Sequence, residues 1–240
     1  LQYMHQQAEK EYTKVKDKAD KNHLSFTQAQ YLYAISFYVE IDNSAFEKYE
    51  ESIIFWKQQA ATYWARAGRM EQAMIAIALH RLGDENTPKI IIKSLQQTAL
   101  KNIENGMYWK ERTGGFSWTD APIETQALII EAFSLIDANN SDINLMRTWL
   151  LKQKQLSDWK TTRATADACY ALLLNGNNWL ENTTSPTITV GTKTINNDPE
   201  VKTEIGTGYI KQSFTKEEIQ PAMGTVSISP QSGTNVPMAW

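Results

Sequence analysis

The sequence predicts a mainly α chain, a partial α/α toroid, followed by a small antiparallel β-domain. Three observations lead there. Apolar residues recur at helical spacing through the first part of the chain, punctuated by helix-start residues and glycine stops. Several helical segments open on a similar polar pair and then run apolar almost all round, while the segments between them keep one polar face. Proline usage and strand-like alternation change near residue 180: five of the seven prolines follow it, whereas seven of the eight tryptophans precede residue 181.

Each element has a local cause. Ser25-Phe26-Thr27-Gln28 and Ser44-Ala45-Phe46-Glu47 fit the capping box, in which a hydroxyl and a side chain three positions on satisfy the free amides of a first turn. Thr87-Pro88 sets a hydroxyl before a proline whose missing N–H costs nothing at a helix start. Gly83, Gly106 and Gly176 follow apolar-periodic runs and read as helix stops. Inner helices are expected at Thr27–Leu32, Glu71–Ala76, Gln126–Leu135 and Thr165–Leu174, each apolar around most of its circumference. Outer helices with one polar face are expected at Phe46–Ala67, Pro88–Glu104 and Ile143–Gln155. Alternation of the two kinds is the pattern of a toroid whose inner helices line a packed axis. In the last part, Thr187–Val190, Tyr209–Phe214 and Thr225–Ser229 read as strands, and Asn196–Pro199 and Gly206–Gly208 read as turns. Val236–Trp240 reads as a further strand or its beginning. The boundary falls at Glu181–Pro186, giving a helical domain over residues 1–181 and a partial β-sandwich over 182–240.

Composition narrows the function. Hydrophobic residues make up 42% and charged residues 21%, as in ordinary globular domains. A net charge of -3 supplies no electrostatic footprint for nucleic acid. The single cysteine, Cys169, and three scattered histidines, His5, His23 and His80, give no disulfide framework and no metal-ligand spacing, so neither metal nor cofactor is expected. Apolar runs fall far short of the roughly 20 residues that cross a bilayer. The chain starts at Leu1 and stops at Trp240 after an apolar stretch, which reads as a piece of a longer protein.

Met146-Arg147-Thr148-Trp149-Leu150-Leu151-Lys152-Gln153-Lys154-Gln155, then Trp159-Lys160-Thr161-Thr162-Arg163-Ala164-Thr165-Ala166-Asp167-Ala168, resembles a passage of the thioester-containing domain of α2-macroglobulin and complement proteins. Gly115-Phe116-Ser117-Trp118-Thr119-Asp120-Ala121-Pro122-Ile123-Glu124-Thr125 resembles the stretch of complement thioester domains that carries an aspartate-alanine-proline run at an inner-helix start. The resemblance spans most of residues 60–180 and is greatest to the bacterial α2-macroglobulin-like branch. It implies a protease-trapping scaffold at the bacterial cell envelope, periplasmic or surface-exposed and lipid-anchored in the parent. The implied partners are proteases, met through the full-length parent, and neighbouring β-domains of the same chain.

The family's chemistry is an internal thioester in a Cys-x-x-Gln-type motif. Cys169 is followed by Tyr170-Ala171-Leu172, so no thioester forms in this chain; at an apolar helix position it reads as a buried packing thiol. Where complement members carry an acyl-transfer histidine, the resemblance places Thr125, which implies direct transfer to amines if the parent has a thioester. Read locally, Thr125 is a first-turn residue satisfying backbone amides.

Asp120, Glu124, Glu131 and Asp167 lie near inner-helix starts, where carboxylate pairs of toroid glycosidases would sit and where the helix dipole also favours acids. Trp109, Trp118 and Trp159 suit sugar stacking, or packing with the indole N–H left in water. His80 reads as a satisfied core histidine, and Glu9-Lys10-Glu11 with Lys14, Lys16, Asp17 and Lys18 as a solvated face. The expected function is that of a scaffold without catalytic residues of its own. Its alternatives are a carbohydrate-active toroid enzyme and a noncatalytic interaction module.

Overall fold

A computed structural model of the chain describes residues 1–39, 41, 43–102, 104–110, 121–156, 159–174, 187–195, 202–203 and 210–229. The protein is mainly helical with a small antiparallel sheet region, and it divides into two units, one formed mainly by Leu1–Asn175 and one by Gly176–Val236. The expected boundary, Gly176, both turns and the Val236–Trp240 strand lie outside the described residues.

In the helical unit the described elements are α1 (Gln2–Val15), α2 (Phe26–Ile35), α3 (Asn43–Lys48), α4 (Glu50–Tyr63), α5 (Arg69–Arg81), α6 (Thr87–Thr98), β1 (Leu100–Asn102), β2 (Gly106–Tyr108), α7 (Pro122–Ile136), α8 (Asp142–Leu156) and α9 (Thr162–Leu173). Helices α2, α5, α7 and α9 pack in a row in chain order, the segments expected to be inner. The intervening helices bridge them: α4 touches α2 and α5, α6 touches α5 and α7, and α8 touches α7 and α9. The row holds the core. Every residue of α5 from Ala73 to Leu79 is buried, and Leu32, Ile35, Ile129, Ile130 and Phe133 are fully enclosed. Burying each such large side chain contributes about 1.5–3 kcal/mol.

Helix ends are closed by side chains and by backbone geometry. Thr161 Oγ1 accepts from Ala164 N–H at 3.0 Å, capping α9. Glu71 accepts from Gly68 N–H at 2.6 Å ahead of α5. After α5, Gly83 N–H donates to the His80 carbonyl at 3.1 Å and Asp84 N–H to the Leu79 carbonyl at 2.8 Å, a Schellman closure that places Gly83 at φ 86°. The glutamines of the repeated polar pair act as clasps. Gln72 Nε2 donates to the Ala67 carbonyl at 3.0 Å, and Gln126 Nε2 to the carbonyls of Met107 at 2.8 Å and Met146 at 3.3 Å. The buried guanidinium of Arg147 on α8 holds the carbonyls of Ala171 and Leu174 at the end of α9.

Several expectations are corrected. The helix expected to run to Glu104 ends at Thr98, and an antiparallel hairpin follows in which Leu100 faces Tyr108 and Asn102 faces Gly106. Asn102 closes the turn by accepting from Asn105 N–H. Gly106 therefore opens a strand and ends no helix. It stands at φ 77°, and a Cβ there would collide with the Leu145 carbonyl and lie 3.0 Å from Trp149 N, so its lack of a side chain lets β2 lie on α8. The segment Phe46–Ala67 breaks at Tyr49 (φ -112°, ψ 21°) into α3 and α4, and its end tightens into a 3₁₀ turn over Trp64–Arg66. Ser44 lies inside α3 rather than ahead of its first residue. Ser25 does precede α2, but its hydroxyl bonds the Gln28 side chain and caps no amide.

In the second unit β3 (Thr187–Val190) is central, flanked by β4 (Lys193–Thr194) and β7 (Val226–Ser229), and β5 (Lys202–Thr203) pairs with β6 (Ile210–Lys211). All pairings are antiparallel; Ile188 faces Ile228 and Val190 faces Val226. The strand expected over Tyr209–Phe214 is confined to Ile210–Lys211 among the described residues. Beyond it the chain turns, because Glu218 accepts from both the N–H and the hydroxyl of Thr215, at 2.8 and 3.0 Å.

Two glycine substitutions separate conformational strain from close approach. Gly83→Ala meets no atom within 4 Å and should cost about 1–2 kcal/mol for the left-handed backbone alone. Gly106→Ala adds a collision with the α8 backbone and should cost markedly more in urea denaturation; equal midpoints for the two variants would contradict the contact.

Candidate functional site: a cleft along the inner helices

Helix α7 is apolar almost throughout, so a carboxylate in its middle stands out. Glu131 lies deep in the helix rather than at its start, with its side chain 5% exposed. A carboxylate so buried must be paired, because leaving it alone costs several kcal/mol. Oε2 accepts from the Tyr33 hydroxyl of α2 at 3.0 Å, and Oε1 pairs with Arg81 Nη2 at the end of α5, also at 3.0 Å. The Arg81 guanidinium lies 3.9 Å from the ring centroid of Phe37, and Phe37 meets Tyr33 edge-on at 5.0 Å. One carboxylate thus links three helices of the row, α2, α5 and α7. Arg81 Nη1 is buried without a partner among the described residues.

Beside this network a cleft of about 400 Å³ opens among α1, α2, α5, α7 and α9. Met4, Met74 and Ala127 give it apolar lining, Tyr33 and Tyr170 phenol lining, Glu131 and Asp167 carboxylates and Arg163 a guanidinium. Asp167 pairs with Arg163 one turn earlier on α9 at 3.6 Å. Burial first, then the charge of Glu131, raises the Tyr33 and Tyr170 phenols above their usual pKa. With both Glu131 oxygens engaged, the site is suited to holding charge in place rather than delivering a proton.

The other residues singled out by the sequence are dispersed. Thr125 is half-buried in the first turn of α7, where its N–H donates to the Ala121 carbonyl at 2.8 Å; it does not line the cleft. Glu124 is buried and accepts from the Thr161 hydroxyl at 3.5 Å, beside the start of α9. Trp109 and Trp159 are buried, but their indole N–H groups donate to the carbonyls of Leu95 at 2.9 Å and Leu150 at 3.2 Å instead of facing water. Asp120 and Trp118 lie outside the described residues. His80 is half-buried at the last turn of α5, not a core residue. The enclosed histidine is His5, whose Nδ1 lies 2.9 Å from the Tyr31 hydroxyl and whose ring stacks on Tyr49 at 4.9 Å.

Cys169 is exposed, which overturns the buried-thiol expectation. Helix α9 buries Ala164, Ala168, Ala171 and Leu172, one helical face, and Cys169 shares the opposite face with Thr165, Tyr170 and Leu173. Among the described helices, α9 packs mainly on α7 and more lightly on α8. Among the described residues no group of three or more histidine, cysteine or acidic side chains could hold a metal, and no helix is long and apolar enough to cross a membrane.

Sequence reasoning singled out Glu131 but missed Tyr33 and Arg81. The signal was available, since a charge inside Leu128-Ile129-Ile130-Glu131-Ala132-Phe133 calls for a donor from a neighbouring helix. Set against family models, curated proteins and solved structures, the chain matches none.

Glu131→Gln should destabilise the chain by about 3–5 kcal/mol by leaving Arg81 uncompensated, and a second change, Arg81→Met, should recover part of that loss in a double-mutant cycle. Additive costs would mean the pair is not coupled. Because the folded state raises the Tyr33 pKa, the unfolded chain releases its proton first as the solution turns alkaline. This contribution to stability is complete below about pH 10 and declines above it, so Tyr33→Phe should flatten the alkaline limb of a stability–pH curve. Cys169 should react with a thiol reagent in the native protein as fast as an exposed model thiol; labelling that requires denaturant would refute its placement.

Proposed function

We propose that the chain is the C-terminal part of an α/α-toroid thioester-type domain, with the start of the β-domain that follows, in a bacterial α2-macroglobulin-like endopeptidase inhibitor. The observation that supports this reading is the row α2–α5–α7–α9 with α4, α6 and α8 each touching two of its members, as repetition in a toroid would produce. The passages at 115–125, 146–155 and 159–168 supply the family resemblance. In this role the chain is a scaffold and not an enzyme. Protease trapping at the cell envelope belongs to the parent molecule, which collapses around its target after cleavage of a bait segment. Thr125 takes the place of the complement histidine, so acyl transfer in a thioester-bearing parent would go directly to amines.

A carbohydrate-active toroid enzyme is the second reading, favoured by Glu131 and Asp167 lining one cleft. Against it, both Glu131 oxygens are already held by Tyr33 and Arg81. The test uses the natural protein that carries this chain, incubated with an endopeptidase. Trapping should leave cleavage of a short peptide intact while protecting a large protein substrate, and unimpeded digestion of the large substrate at inhibitor excess would refute the inhibitor reading. The 240-residue chain alone should release no sugar from a polysaccharide panel; release would favour the second reading.

A further inference from the structure

The cleft beside Glu131 has a chemistry that the scaffold role does not use. A carboxylate offers about four lone-pair sites. Tyr33 and Arg81 occupy one on each oxygen of Glu131, and the same side chain also lines the cleft. Acceptor capacity therefore remains beside an apolar cavity. The second carboxylate, Asp167, is paired to Arg163 only at 3.6 Å, with side chains 38% and 66% exposed. Such an exposed pair on one helix is weak and yields readily to a competing donor.

The rest of the lining offers a cation with an apolar body suitable neighbours. Burial first and then the Glu131 charge raise the Tyr33 and Tyr170 phenols, while Arg81 acts in the opposite direction; Glu131 and Asp167 bring two carboxylates to the lining and Arg163 one guanidinium. Two tyrosine rings and the thioethers of Met4 and Met74 line it, and both are good neighbours for an alkyl cation. Arg81 lies against Phe37 and is not part of the lining; Arg163 does line the cleft, but its side chain is 66% exposed and paired to Asp167, so it offers an anion only a solvated partner. Among the described residues there is no cluster fit for a metal ion. The volume, about 400 Å³, suits a small molecule or a single side chain.

We propose that this cleft binds a primary alkylammonium group, the chemistry of a lysine side chain or a free alkyl diamine, with Glu131 and Asp167 as acceptors and the alkyl chain against Met4, Met74 and Ala127. The probe is n-pentylammonium chloride, titrated into the whole chain carrying ¹³C-methyl methionine. Saturable shifts of the Met4 and Met74 methyls are expected, with n-pentanol binding about tenfold more weakly and pentanoate not at all. Asp167→Asn, at a partly exposed position, should weaken binding about fivefold without moving the melting temperature. Glu131→Gln should weaken it more, and if that variant does not fold, Asp167→Asn together with Tyr170→Ser decides. Equal binding of pentanol, an unchanged affinity in Asp167→Asn, or shifts confined to methionines outside the cleft would each overturn the site. Binding of Nα-acetyllysine methylamide would assign it to peptide lysines; binding of 1,5-diaminopentane alone would assign it to free diamines.

Discussion

A carboxylate buried in an apolar helix has few ways to exist, and the helical unit is arranged around the way Glu131 found. Its charge requires donors, and the donors come from two other members of the inner row, Tyr33 of α2 and Arg81 of α5. Apolar packing among these helices is permissive, because aliphatic side chains tolerate small rotations and slides. A hydrogen-bonded ion pair at 3.0 Å does not. The network therefore selects one rotation and one axial offset for each helix among the many that would bury a similar area, and it fixes the wall of the cleft at the same time.

A second tier of polar contacts runs from side chains to backbone rather than between charges. Gln72 and Gln126 reach the carbonyls of preceding or neighbouring segments, and Trp109 and Trp159 do the same with their indole N–H groups. In each case an interior donor meets a carbonyl that the local fold leaves available. A core built from aliphatic residues with aromatics and methionines such as Trp56, Phe133 and Met146 is thereby tied to the loops and to the hairpin around it.

The helices of the first unit were legible because burial imposes a period, and a period survives in the sequence. The α7 and α8 segments follow that pattern closely. What escaped was decided by tertiary contact. The hairpin over Leu100–Tyr108 replaces the end of a plausible helix because β2 packs on α8 at a glycine, a fact about two distant segments. The break at Tyr49 has no proline or glycine to announce it. Cys169 reads as apolar in a list of neighbours yet falls on the outward face of α9, since a few tens of degrees around the axis separate core from solvent. The site followed the same division: Glu131 was conspicuous as a charge among aliphatics, whereas its partners, one of them an ordinary tyrosine, are defined only by how three helices lie together.

Arg147 has a mechanical consequence. Terminal turns are where helices ordinarily fray, because their last carbonyls lack partners within the helix. At the end of α9 those carbonyls belong to Ala171 and Leu174, and a buried guanidinium rooted in α8 holds them. Tension applied to the chain beyond Leu174 is thus passed sideways into a second helix before any turn of α9 can unwind. Unravelling from that end must first strip a charge from its enclosed seat, so the helical unit resists being peeled open from its C-terminal side.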